Sequence, residues 1–216
     1  MITDRTTGTE QRVSVTLAVH GEHQVGNALT AIAIALECGV TPQQAAAALS
    51  DASPVSAHRM AVTTRADGAT VIDDAYNANP DSMRAALKAL ATVARSGPTR
   101  RRTFAVLGEM GELGDESVVE HDAIGRFAVR LDITRIIAVG ATRPVRGLFQ
   151  GAVMEGSWGE EASHVPDADA AIALLRDEVG PGDIVLVKAS QSVGLWSVAE
   201  ALLGNDNAVL ETEAAR

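Results

Sequence analysis

Hydrophobic and polar positions alternate strictly from Arg12 to His20, with Val13, Val15, Leu17 and Val19 on one face and Ser14, Thr16 and Ala18 on the other. Such a period of two predicts a half-buried strand. The period changes at Gly21. From His23 to Cys38 the apolar positions Val25, Leu29, Ile32 and Leu36 follow helical spacing, and Gly39 ends the run. Thr41-Pro42 then opens a second helix to about Ser50, with Thr41 as N-cap and Pro42 in the first turn. Asp51–Ser56 holds Ser, Pro and Asp without periodicity, and the domain boundary is placed there.

Beyond it, short apolar runs alternate with longer amphipathic ones. Strands are predicted at Met60–Ala66, Thr70–Asp73, Thr103–Leu107, Arg135–Val139 and Asp183–Val187, and helices at about Pro80–Arg95, Val118–Leu131, Ala168–Glu178 and Val193–Leu203. This alternation implies βαβ units. The expected fold class is α/β, a Rossmann-like, mostly parallel sheet with helices on both faces. Gly147–Pro166 shows no clear period; a short extra strand is expected near Ala152–Met154. Gly204–Arg216 is polar and is expected to fray. The division that follows is 1–53, 54–204 and a tail, 205–216.

Composition narrows the chemistry. Aromatic residues are 3% of the chain against 46% hydrophobic, so the core must be aliphatic. A net charge of −10 argues against a nucleic-acid partner, which needs a basic stripe to neutralise phosphates. No apolar run approaches the roughly 20 residues of a membrane span, so no membrane partner is expected. Cys38, the single cysteine, is expected to be a small core residue, and no disulfide can form within the chain. The N-terminus lacks a signal-peptide pattern. A cytoplasmic monomer is the expectation. His20, His121 and His164 have no acidic or thiol neighbours at ligand spacing, so no protein-built metal site is expected.

The most informative stretch is Asp73-Asp74-Ala75-Tyr76-Asn77-Ala78-Asn79-Pro80-Asp81-Ser82-Met83. Asn79 suits a helix N-cap and Pro80 the first helical position, so capping alone explains that part. It does not explain two carboxylates closing a strand beside Tyr76 and Asn77, at the sheet edge where ligands of open α/β folds bind. This run resembles the Mur ligase family, and within it the branch that adds D-alanyl-D-alanine. The chain is similar to that family at four further places: Gly21-Glu22-His23-Gln24-Val25-Gly26-Asn27-Ala28, His58-Arg59-Met60, Val106–Gly114 followed by His121, and Asp183–Ser190. The resemblance runs from about residue 12 to residue 203.

The resemblance implies an ATP-dependent ligase that uses Mg2+ and joins D-alanyl-D-alanine to a UDP-N-acetylmuramoyl-tripeptide through an acyl phosphate. It implies adenine contacts at Asn27 and Gln24, with His58 near the adenine. Arg59 is implied on the γ-phosphate, the one catalytic residue, and Asp74 on the ribose. Tyr76, Asn77 and Asn79 would surround the same cleft. Glu109, in the Gly108–Gly114 loop, is expected to meet the dipeptide ammonium, and Lys188 and Ser190 its carboxylate. That loop lacks the Gly-Lys-Ser/Thr ending of a phosphate loop, and no such loop occurs anywhere in the sequence. The first 53 residues therefore read as the tail of an ATP-binding domain. The remaining central and N-terminal domains are missing partners, and the chain alone is expected to be inactive. Two other readings stay open: a stand-alone nucleotide- or dipeptide-binding module, and a related ligase with another amine substrate.

Overall fold

In the computed structural model the structure describes residues 2–3, 10–18, 22–52, 58–156 and 159–204. The chain divides into two compact units, Met1–Ser56 and Ala57–Arg216. The chain end at 205–216 and the segment 53–57 lie outside the described residues, as do residues 19 and 20 of the first predicted strand.

In the first unit, β1 (Ile2–Thr3) pairs antiparallel with β2 (Glu10–Gln11). Residues 12–18 alternate in exposure as expected, with Val13, Val15 and Leu17 half-buried and their neighbours exposed, but they have no ladder partner among the described residues. The predicted strand is thus extended chain with two faces. Its alternation came from side chains, whereas a ladder needs a second chain segment alongside. Helix α1 (Glu22–Glu37) is apolar nearly all round and leaves Val25, Leu29 and Ile34 exposed. Cys38, expected in the core, is exposed, because it lies just past the helix end. Helix α2 (Pro42–Asp51) starts with a full capping box between Thr41 and Gln44.

The second unit is built on a sheet of six strands among the described residues. They are β3 (Ala61–Thr64), β4 (Thr70–Asp73), β5 (Thr103–Leu107), β6 (Arg135–Val139), β7 (Ala162–Val165) and β8 (Ile184–Lys188), in the order β3-β4-β8-β5-β6-β7. Only β3 is antiparallel to its neighbour. The central strands are apolar on both faces, as a parallel sheet requires. Ala105, Leu107, Ile136, Ala138, Ile184 and Leu186 join the core beneath α3 (Pro80–Arg95), α4 (Ser117–Arg130) and α5 (Arg143–Glu155). Phe104, Val106, Ile137, Val139, Val185 and Val187 pack on the other side with α6 (Ala168–Glu178) and α7 (196–204).

Helix α5 overturns the expectation for Gly147–Pro166: Ala152–Met154 is helical, and the strand of that region is Ala162–Val165. Gly147 and Gly151 fall in the stretch that showed no clear period. They are contact points with α4. A Cβ on Gly151 would stand 2.2 Å from the carbonyl oxygen of Asp122, and one on Gly125 2.0 Å from that of Leu148. Bare glycine lets the two helix backbones touch.

One topological feature positions everything that follows. Chain passes from β4 through α3 to β5, skipping one place in the sheet, and β8 later fills it. The segments after β4 and β5 lead to helices on one face, and the segment after β8 leads to α7 on the other. At the C-terminal ends of these strands the connections therefore part, leaving the crevice in which open α/β sheets bind ligands.

Candidate functional site

Three loops meet at that crevice. Tyr76, Asn77, Ala78 and Asn79 follow β4; Gly111, Glu112 and Leu113 follow β5; Ser190, Gln191 and Ser192 follow β8. Together they line a cavity of about 510 Å³. Asn79 Oδ1 accepts from the Ser82 backbone N–H at 2.8 Å, capping α3, and Asn77 Oδ1 accepts from the Ala78 N–H at 2.8 Å. Each carboxamide thus spends its oxygen on the backbone and keeps an NH2 group as a donor. Ser190 and Ser192 add two hydroxyls, 3.3 Å apart. The carboxylate on the cavity wall is Glu112, a non-glycine residue with φ of 62°.

The loop after β5 is held from behind by His121. This imidazole is fully buried on α4; its Nδ1 donates to the Ser117 carbonyl at 2.6 Å, and its Nε2 accepts from the Met110 N–H at 2.8 Å. Only the neutral ring protonated at Nδ1 satisfies both partners. Burial pushes its pKa below the ordinary histidine value, outweighing the opposing Ser117 hydrogen bond and the nearby Glu109 and Glu120 charges. In the unfolded chain the ring protonates near its ordinary pKa of about 6.5. The stability it confers is therefore complete above about pH 6.5 and is lost as pH falls toward the lower folded value. Denaturant unfolding at pH 7.5, 6.5 and 5.5 should show the advantage of the parent over His121→Asn shrinking with acidity. A constant difference would exclude this role.

The acidic pair faces inward. Asp73 Oδ2 meets His58 Nδ1 at 2.6 Å, and its Oδ1 accepts from the Ala75 N–H at 3.2 Å. Asp74 Oδ1 accepts from the Met60 N–H at 3.0 Å, while its Oδ2 takes the Lys188 ammonium at 2.5 Å. Lys188 also donates to the Asn77 carbonyl at 2.8 Å, and its side chain is 2% exposed against 14% for Asp74. By strand parity Lys188 extends the face of Ile184 and Leu186, beneath α3. His58 stacks on Trp196, with ring centroids 5.5 Å apart. Arg59 is exposed, its Cζ 4.0 Å from the centre of the Tyr76 ring.

The residues singled out from sequence therefore fall into three places. Tyr76, Asn77, Asn79 and Ser190 share the cavity. His58, Arg59, Asp74 and Lys188 form the ion-pair and stacking cluster beside Tyr76. Gln24 and Asn27 lie in the first unit, where Asn27 Nδ2 donates to Gln24 Oε1 at 3.1 Å; both line a cavity of about 230 Å³ with Leu17, Ala18, Ala28, Ala31, Leu49 and Ala52. Glu109 offers its backbone carbonyl to the Ser190 N–H at 2.9 Å and does not line the large cavity. Among the described residues, no three His, Cys, Asp or Glu side chains converge as metal donors, and no helix is long and apolar enough to cross a membrane.

A family model, the Mur ligase, glutamate ligase domain, matches residues 58–191. This chain belongs to the Mur ligase family. Among its relatives, a UDP-N-acetylmuramoyl-tripeptide–D-alanyl-D-alanine ligase of Mycobacterium tuberculosis is 56% identical over 208 residues, covering 91% of this chain and 41% of the relative. The Escherichia coli ligase of the same description is 32% identical over 195 residues, covering 89% and 40%. Among solved structures, MurF from Acinetobacter baumannii superposes with a TM-score of 0.73 at 30% identity, covering 88% of this chain and 40% of that one. The chain spans about two fifths of the length of the curated relatives it matches.

Within this Mur ligase unit, sequence reasoning missed Glu112, Gln191 and Ser192. The Gly108–Gly114 loop was recognised as a whole, but two glutamates spaced among three glycines do not reveal which carboxylate lines the cavity. Gln191 and Ser192 carry only the weak signal of directly following a strand end.

Proposed function

We propose that this chain is the closing part of an ATP-dependent Mur ligase that joins D-alanyl-D-alanine to a UDP-N-acetylmuramoyl-tripeptide. The observation that carries the reading is the cavity at the parting of β4, β8 and β5. Its lining combines the Asn77 and Asn79 carboxamides and the Ser190 and Ser192 hydroxyls with a single carboxylate, Glu112. That suits a small zwitterion with carboxylate and ammonium at its two ends. The likeness to ligases named for a D-alanyl-D-alanine substrate supports the choice of dipeptide.

In such a reaction a carboxylate oxygen of the tripeptide attacks the γ-phosphorus of ATP, giving an acyl phosphate and ADP. The dipeptide ammonium first gives one proton to water; the free amine then attacks the acyl carbon, the bond to the phosphate oxygen breaks, and the departing phosphate takes up the second N–H proton as the amide forms. Glu112 holds the ammonium and aims it, the role the sequence had suggested for Glu109. Asn77, Asn79 and the two serines hold the carboxylate, with Lys188 shaping that wall from behind. Arg59 offers a permanent charge to phosphoryl oxygens. Asp74 uses two of its roughly four lone-pair directions internally and turns its exposed side to the ribose hydroxyls. The small, mostly apolar cavity with Gln24 and Asn27 suits an adenine ring. Mg2+, which the ligase reading requires, is assigned to the part of the relatives' length that this chain does not cover.

The test replaces the matching part of the Mycobacterium tuberculosis ligase with residues 12–203 and follows phosphate release with ATP, Mg2+ and the tripeptide. Release that depends on D-alanyl-D-alanine is expected. Glu112→Gln should raise KM for the dipeptide about 10- to 100-fold, the worth of one charge-assisted hydrogen bond. A folded chimaera that turns over a different amine and ignores D-alanyl-D-alanine would sink the reading.

A further inference from the structure

Arg59 is held in an unusual way. The residues on either side of it, His58 and Met60, have φ of 60° and 47°, the left-handed region that side-chain-bearing residues avoid. Such strain persists only where the surroundings over-determine it. Here three contacts from the end of β4 do so: Asp73 holds the His58 ring at 2.6 Å, the Tyr76 N–H donates to the His58 carbonyl at 3.0 Å, and Asp74 accepts the Met60 N–H at 3.0 Å. The Arg59 backbone is thereby fixed, and its side chain leaves that turn over the ring of Tyr76.

The choice of partner is informative. Among the described residues, the other arginines of this unit that the fold uses for itself face carboxylates or carbonyls: Arg102 on Asp183, Arg126 on Asp122, Arg135 on Glu178. Arg59 has no carboxylate partner among the described residues. It has an aromatic face, 4.0 Å from its Cζ. A ring holds a guanidinium through the flat face of the cation, so the N–H donors around its edge stay free for an incoming oxyanion. A carboxylate in the same place would occupy two of those donors and cancel the charge. Tyr76 also lines the cavity described above, so one residue borders both the cation and the cavity.

We infer that Tyr76 is the positioning residue of Arg59, and that through it the cavity's ligand and the oxyanion bound by Arg59 are energetically linked. The identity of those two ligands rests on the ligase reading; the arrangement of Tyr76 and Arg59 does not. A ligand that fixes the Tyr76 ring fixes the guanidinium plane, and an anion that fixes the guanidinium restrains the ring. By linkage the two effects on binding are equal.

Tyr76 is the single tyrosine of the chain, so 3-fluorotyrosine incorporation gives one fluorine NMR resonance from the 216-residue protein. Arg59→Met should displace it, whereas Arg100→Met, whose partner is Asp132, should not. In the chimaeric ligase, Tyr76→Leu should lower kcat about 5- to 30-fold, the kinetic equivalent of losing a cation–π contact. The double variant Arg59→Met/Tyr76→Leu should be no slower than Arg59→Met, and Tyr76→Phe should recover most of the leucine variant's loss. A resonance unmoved by Arg59→Met, or additive losses in the double variant, overturns the inference. A chimaera inert toward D-alanyl-D-alanine overturns the ligase reading instead, and the fluorine measurement then decides the role of Tyr76 by itself.

Discussion

Replacing Lys188 by methionine is expected to cost the Ala57–Arg216 unit about 3–5 kcal/mol, toward the lower end of that range because Asp74 keeps some contact with solvent. The side chain is 2% exposed, and its ammonium serves two acceptors, the Asp74 carboxylate at 2.5 Å and the Asn77 carbonyl at 2.8 Å. Methionine fills much the same volume but leaves a carboxylate facing an apolar wall and a carbonyl without its donor. The loss is therefore electrostatic rather than one of packing. Adding Asp74→Asn should return part of it, since the carboxamide oxygen still accepts the Met60 N–H and no buried charge remains. Urea unfolding of the parent, both single variants and the double variant forms a closed cycle. A Lys188→Met cost below about 1 kcal/mol, or strict additivity, would show that the pair is weakly coupled.

A bulkier residue at the α4–α5 crossing should have an effect of similar size. At Gly151 an added Cβ would lie 2.2 Å from the Asp122 carbonyl oxygen and 2.8 Å from its carbon; at Gly125 it would lie 2.0 Å from the Leu148 oxygen and 2.8 Å from the Ala152 nitrogen. These are backbone atoms, so no rotamer change relieves the clash and the helices must separate. Gly→Ala in an ordinary helix gains about 1 kcal/mol from propensity. Separation here opens space along Ile124, Leu148 and Ala152 and should outweigh that gain, leaving a net loss of about 3 kcal/mol or more. For a domain of this size that lowers Tm by roughly 6–12 °C. Gly147→Ala is the graded control, because its Cβ would meet the Val118 oxygen at 3.0 Å and a few tenths of an ångström of movement suffice. Calorimetry showing equal Tm for Gly125→Ala, Gly151→Ala and the parent would mean that the helices part freely.

How much of this was legible in the sequence follows from the range of each interaction. The segments Thr70–Asp73, Pro80–Arg95, Thr103–Leu107, Arg135–Val139 and Ala168–Glu178 fall where periodicity and caps put them. Those signals are local, as in the reciprocal Asn79–Ser82 cap, or they repeat along one face, as in Met83, Leu87, Leu90 and Ala94. What escaped depends on distant partners. Gly147–Pro166 showed no helical period because the chain does not announce that Val118 and Asp122 lie across from Gly147 and Gly151. Asp74 and Lys188 were given separate tasks because nothing near either of them shows that they pair. Tyr76, Asn77, Asn79 and Ser190 were found through a strand-end motif, whereas Glu112 needed the course of its own loop to distinguish it from Glu109.

The place of β8 has a consequence for how the unit comes into being. The last of the described strands sits between β4 and β5, bonded to both, so each of them, already paired on its far side with β3 or β6, lacks its second neighbour until residue 188 has emerged from the ribosome. Up to then the nascent chain carries two hydrophobic strand edges open toward each other, a state prone to premature pairing or aggregation. Chains truncated after α6, which keep every strand but β8, should accordingly fail as soluble products, and proteolytic resistance should appear late and all at once during translation.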